Sequence, residues 1–167
     1  MKQNTLRILI VAFGLCCAVV GLVRPWAPPP ARAGEVAASF DSGTFTPTIV
    51  GISSAGTASY TVQVGRYTRQ GNRVALNATL TFTGGNGTGQ PAVAGLPLAL
   101  RNVANDDTPC AVLTSSFTFG TGQLTAAIAS NESQVRLWLV ATGATLAVAS
   151  YDAAATVYVQ CNYEVTP

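Results

Sequence analysis

The chain has 167 residues, of which 10% are charged, and it contains no histidine. Globular proteins average about 25% charged residues, and histidine is the commonest general base and zinc ligand. Its absence excludes a Ser-His-Asp arrangement and a histidine-activated cysteine. The formal charge of +2 hides an uneven distribution: Lys2, Arg7, Arg24 and Arg32 all lie near the N-terminus. Beyond them, five arginines face seven carboxylates with no lysine, a net −2. So few cations cannot neutralise many phosphates, which argues against nucleic acid as a partner.

Residues 1–33 read as a secretory signal. Lys2 and Arg7 form a positive start, Ile8 to Val23 an uncharged apolar run, and Ala31-Arg32-Ala33 a small-x-small cleavage site. The run has 16 residues, short of the roughly 20 that span a bilayer. The rival reading keeps the segment as an uncleaved anchor, with Pro25, Pro28, Pro29 and Pro30 as a stiff spacer. Only in that case is a membrane a partner. Cys16 and Cys17 lack the small residues that precede a lipidated cysteine and read as apolar filler.

Cleavage after Ala33 leaves residues 34–167, a length of 134 residues that forms one domain with a core of its own. Gly34 to Gly43 reads as a lead-in and Gly43 to Val50 as a first strand. Pro47 places that strand at a sheet edge or a bulge, because it cannot donate to a ladder. Gly51 to Ala58 is a small-residue loop. Ser59 to Thr83 then alternates with period two. Tyr60, Val62 and Val64 fall on one face, and after Gln70-Gly71-Asn72 so do Val74, Leu76, Ala78, Leu80 and Phe82. This is a hairpin with one apolar and one hydroxyl-rich side, turning on residues that tolerate positive φ.

Gly84 to Gly89 is glycine-rich, but neither a helix nor a lysine follows, so it reads as a turn and not a phosphate cradle. Ala92 to Leu98 is a short strand closed by Pro97. Asn102 to Pro109 is a polar loop whose Asn105, Asp106 and Asp107 lack the alternating spacing of a calcium loop. Cys110 to Phe117, Leu124 to Ala129, Gln134 to Ala141, Thr145 to Ala149 and Thr156 to Val165 are five further strands. Short strands at near-regular spacing predict an all-β fold, an antiparallel β-sandwich or jelly-roll-like domain. Val135 to Val140 and Thr145 to Ala149 are apolar on both faces, as in a strand central in a sandwich or covered by another subunit; the scarcity of charge favours subunit contact for part of this surface.

Two cysteines lie beyond the leader, Cys110 and Cys161. In an exported chain they read as one disulfide; the alternative is two buried free thiols. Asp41, Asp106, Asp107, Glu132 and Asp152 all fall in predicted loops, outside the apolar runs that would raise a catalytic carboxyl's pKa. No catalytic residue, metal site or cofactor is assigned. Asn77-Ala78-Thr79, Asn86-Gly87-Thr88 and Asn131-Glu132-Ser133 match the glycosylation sequon, a pattern expected by chance in so Ser/Thr-rich a chain.

Gly43-Thr44-Phe45-Thr46-Pro47-Thr48 resembles the G-T-W-T-P-T opening of the C-terminal domain of phage tail fibres and tailspikes. Tyr60 to Val74, Y-T-V-Q-V-G-R-Y-T-R-Q-G-N-R-V, is similar to that family's Y-x-x-Q-x-G-x-Y-x-[RK]-x-G-N-x-V pattern. Gly95-Leu96-Pro97 resembles its G-L-P-F, and Tyr158 to Tyr163 its closing strand with a late tyrosine. Phe45 stands where the family carries tryptophan and Leu98 where it carries phenylalanine; Cys110 and Cys161 lie outside its pattern. The resemblance implies an all-β module that trimerises at the receptor-facing tip of a fibre. With an export signal and no fibre shaft, this chain reads as a freestanding exported relative: secreted, periplasmic or on the cell surface.

Three functions follow for weighing. The first is a module for surface or glycan binding and adhesion, with Tyr67, Trp138, Tyr151 and Tyr158 as the aromatics that would stack on sugar rings. The second is a self-associating structural surface or matrix protein, a homotrimer or other homo-oligomer. The third is a carboxylate-based glycan-acting enzyme, which the lack of a poised acid/base pair disfavours.

Overall fold

The structure is a computed structural model and describes residues 40–118, 122–140, 143 and 146–166. The leader, its alternative anchor and the start of the lead-in lie outside the described residues. Among the described residues there are ten strands and no helix. The strands are β1 (Phe40–Phe45), β2 (Thr48–Gly51), β3 (Ser59–Gln70), β4 (Arg73–Thr83) and β5 (Pro91–Ala94). They continue with β6 (Thr108–Ser115), β7 (Gln123–Ile128), β8 (Val135–Val140), β9 (Leu146–Val148) and β10 (Ala155–Glu164). The all-β, antiparallel class predicted from the periodicity is the one found.

The strands follow one hydrogen-bonded path, β1-β3-β4-β10-β6-β7-β8-β5-β2, with β9 on β8. Its two terminal strands are neighbours in the chain, separated only by Thr46 and Pro47. The three steps from Phe45 to Thr48 span about 10 Å at most, so the path must bend back towards its start. The result is a curled antiparallel sheet, a half-barrel. Side chains of β3 bridge the seam. The Tyr60 hydroxyl accepts the Ile49 N–H at 2.9 Å, and the Gln63 amide donates to the Pro47 carbonyl at 2.9 Å. The single strand expected over Gly43 to Val50 is thus two, and the expected lead-in already contributes Phe40 to β1. The chain breaks at Pro47, which cannot continue a ladder, and crosses from one edge of the path to the other.

The core lies inside the curl. Val74, Leu76, Ala78, Leu80 and Phe82 of β4 and Val157, Val159, Cys161 and Tyr163 of β10 are buried, as their alternation predicts. Ile128, Val135 and Leu137 close it from the other half. The β3–β4 turn is Gly71-Asn72, with Gly71 at φ 61° in its first position, as a II′ turn requires.

β3 departs from the simple alternation. The register shifts between Tyr60 and Val62, leaving Thr61 as an extra residue. Tyr60 pairs with buried Phe82, but beyond the bulge Val62 pairs with Thr81 and Val64 with Thr79, on the outer face. Val62 and Val64 are therefore exposed, and Gln63, Gly65 and Tyr67 point inwards. One inserted residue exchanges the two faces of everything after it.

Cys110 and Cys161 form the disulfide that the exported-chain reading favoured, over the alternative of free thiols. Gln160 of β10 pairs with Ala111 of β6, so the cysteines sit directly opposite one position further on, with Cα atoms 4.6 Å apart. Cys110 also pairs with Ala126 of β7. The bridge thus pins the point where β6 leaves β10 and turns over to join β7.

Candidate functional site: the outer face of the β3–β4–β10–β6 sheet

In an antiparallel ladder, paired residues share a face. The registers therefore assemble the outer surface row by row. Val64, Thr79, Tyr158 and Leu113 form one row across four strands. Thr44, Arg66, Asn77, Gln160 and Ala111 form the next, and Val62, Thr81, Thr156 and Ser115 the row on the other side. Rows stand about 7 Å apart and strands about 4.8 Å apart.

The middle row is the most apolar. Leu113 is 68% exposed, Val64 48% and Tyr158 44%. A shallow groove of about 270 Å³ runs beside Tyr158, lined by Asn77, Thr79, Ala111, Leu113 and Gln160 together with backbone of the core-facing neighbours. The Thr81 and Thr156 hydroxyls hydrogen-bond each other at 2.9 Å. Asn77 and Gln160 are exposed, with their amides beside the aromatic ring's row.

The four aromatics expected as stacking residues divide between inside and outside. Tyr158 lies at the centre of the outer face just described. Trp138 is on the outer face of β8, half-buried, paired with Thr125 and with exposed Val148. Tyr67 and Tyr151 pack against the core instead. A methyl group at Gly43 would stand 2.8 Å from the Tyr67 ring, and one at Gly87 2.6 Å from the Tyr151 ring. Each glycine thus makes room for an aromatic that fills inner space. The Tyr67 hydroxyl donates to Asp41 at 3.2 Å, and that carboxylate, with some burial, pushes the phenol's pKa above its ordinary value. Burial likewise raises Tyr151, whose buried hydroxyl approaches the Gly87 backbone but has no partner in full hydrogen-bonding geometry among the described residues.

The carboxylates weighed for catalysis hold structure, and Asp41 lies in strand β1, paired with Arg69, and not in the loop expected for it. Asp106 receives the Arg101 guanidinium at 2.6 Å, a hydrogen bond that holds its carboxyl below the usual range. Arg101 also reaches Glu164 at 2.5 Å, tying the loop to the last strand. Asp107 accepts the Ser130 N–H, Glu132 pairs with Arg136, and Asp152 accepts the Thr118 N–H. No group of three or more metal-ligating side chains occurs among the described residues. The glycine-rich stretch turns back on the 51–58 loop through the Ser54–Thr88 bridge, and Asn86 accepts the Thr57 N–H at 2.6 Å.

In the sequence Val64 reads as part of the hairpin's apolar face, and Leu113, Asn77 and Gln160 look like ordinary strand filling. Only the cross-strand register places them around Tyr158. Comparisons with protein-family models, with curated proteins and with solved structures return no match.

Proposed function

We propose that this protein is an exported, non-catalytic β module that binds glycan or another cell-surface ligand through the outer face of β3, β4, β10 and β6. One observation carries the reading: the exposed row Val64–Thr79–Tyr158–Leu113, flanked by the Asn77 and Gln160 amides on one side and the Thr81, Thr156 and Ser115 hydroxyls on the other. Sugars present apolar ring faces rimmed by hydroxyls. An aromatic platform with amides beside it is the matching chemistry. The resemblance to phage fibre tips points the same way, and the disulfide suits an oxidising compartment. A glycan array probed with the protein and with Tyr158→Ala tests it. Binding should weaken about tenfold in the variant, the scale of a lost stacking contact. An array without hits, together with no binding to cell envelopes, defeats the reading.

A second reading, self-association, is favoured by a different surface. On the outer face of β8 and β9, Trp138, Val140, Leu146 and Val148 lie side by side, and Leu146 and Val148 are each 55% exposed. A sandwich-like subunit that trimerises through this face would cover it and leave the Tyr158 face free. In that arrangement the two readings describe one molecule.

A further inference from the structure

Within the glycan-binding reading above, on which this inference rests, we infer that the ligand is an acidic polysaccharide bearing uronate carboxylates, held by Arg66 beside the Tyr158 row. The argument begins with where charge is spent. Arg101 is neutralised by Asp106 and Glu164, and Arg136 by Glu132. Arg69 is turned inwards, opposite Asp41 in the ladder, and its Nε donates to the Gly71 carbonyl at 2.7 Å. Arg66 has neither an ion-pair nor a hydrogen-bond partner among the described residues, and it is exposed. It is the one charged member of its row, between Thr44 and Asn77.

The charges around it reinforce this. Arg73, 82% exposed, lies further along the same outer face. The carboxylate on that face is Glu164, which is committed to Arg101 at 2.5 Å and stands 3.8 Å from Arg73. Asp41 is on the inner face, bound by the Tyr67 hydroxyl. A described domain whose carboxylates outnumber its arginines thus presents a positively charged outer sheet.

The geometry selects the anion. Arg66 stands two strands and one row from Tyr158, about 12 Å between Cα atoms from ladder spacings. That is roughly two sugar rings, within reach of an extended arginine. A ring stacked at Tyr158 would place a following residue near Asn77, Gln160 and Arg66. A planar guanidinium meets a carboxylate with two parallel hydrogen bonds; a sulfate ester can be gripped the same way, but its single charge is spread over three less basic oxygens, so each bond is weaker. The groove is open and shallow, which fits a chain lying across the rows and not a small molecule enclosed in a pocket.

The test measures binding of the protein, produced from its full reading frame, to polygalacturonate, dextran and dextran sulfate at low and moderate salt. Polygalacturonate should bind at least about tenfold tighter than dextran, with the advantage shrinking as salt rises. Arg66→Gln should reduce that ratio about five- to tenfold, and Tyr158→Ala should weaken polygalacturonate as well. Dextran bound as tightly as polygalacturonate overturns the acidic class and leaves the glycan reading standing. Dextran sulfate bound as tightly as polygalacturonate overturns the carboxylate assignment. Undiminished preference in Arg66→Gln overturns the role of that residue, and failure to bind any polysaccharide removes both the inference and the reading beneath it.

Discussion

The ring of Phe45 lies over Gly65: a methyl group at that glycine would stand 2.7 Å from three of its ring atoms. The two residues face each other across the β1–β3 ladder, and two positions along, Tyr67 covers Gly43 in the opposite sense. Each strand therefore supplies one glycine and one aromatic to the pair, an exchange that lets rings lie flat on an inner surface near a sheet edge. Gly65→Ala should destabilise the fold by about 1–3 kcal/mol, the cost of overpacking. The neighbouring Val64→Ala should change it by less than about 0.5 kcal/mol, as for an exposed site. Urea unfolding midpoints decide; equal effects would mean that the ring is free to move aside.

The bulge at Thr61 makes a second forecast. Val64→Thr acts on the outer face and should leave stability within about 0.5 kcal/mol of the wild type. Leu80→Ala, one rung away on the buried side of β4, should cost about 2–5 kcal/mol. A Val64 variant as damaging as the Leu80 variant would place Val64 inside and remove the bulge.

The Cys110–Cys161 bridge closes a sequence separation of 51 residues. In the chain-entropy account, that constraint on the unfolded chain is worth about 4 kcal/mol. Replacing both cysteines with alanine should lower stability by about 2–5 kcal/mol. Thiol labelling of the denatured, unreduced protein should find no reactive thiol at these positions. Two labels there would disprove the bridge.

Tyr163 is 4% exposed and its hydroxyl donates to the Leu98 carbonyl at 2.9 Å. Burial pushes its pKa from 10.0 up to about 12. The neutral phenol is therefore favoured in the folded state. Its contribution is fully present below pH 10 and is lost as the pH rises towards about 12. About two pKa units correspond to roughly 2–3 kcal/mol. Comparing unfolding free energies of wild type and Tyr163→Phe between pH 9 and 12, on the order of that titration range, should show the wild type losing more. Parallel curves would indicate a phenol that titrates normally.

On the β8–β9 face, Val148→Asp puts a charge directly beside Trp138. If that face is a subunit contact, native mass and light scattering should show the assembly falling apart, while the monomer's circular dichroism is retained. An unchanged mass would assign the oligomer contact, if any, to another face.

The strands could be read from the chain because a pleated backbone sends successive side chains to opposite faces. β4 and β10 show it most cleanly: Val74 to Phe82 and Val157 to Tyr163 alternate in sequence and in burial. β3 defeated the same rule, since nothing in Tyr60-Thr61-Val62 distinguishes a bulged residue from a regular one. The break at Pro47 was visible as an edge signal, but not as a crossing from one end of the strand path to the other.

Tyr158 shows the same division at the candidate site. Its aromatic chemistry was evident along the chain, as was that of Tyr67 and Tyr151. Which of the three meets solvent was decided by pairing: Tyr67 and Tyr151 find glycines across from them, and Tyr158 finds Thr79 and Leu113. Local alternation and turn residues are properties of neighbours in sequence, so the chain alone specified an antiparallel β body. The register between distant strands is a property of neighbours in space, set by the competition to bury Leu76, Leu80, Val157 and Leu137 together. Only that competition brought Val64, Asn77, Leu113, Tyr158 and Arg66 onto one surface.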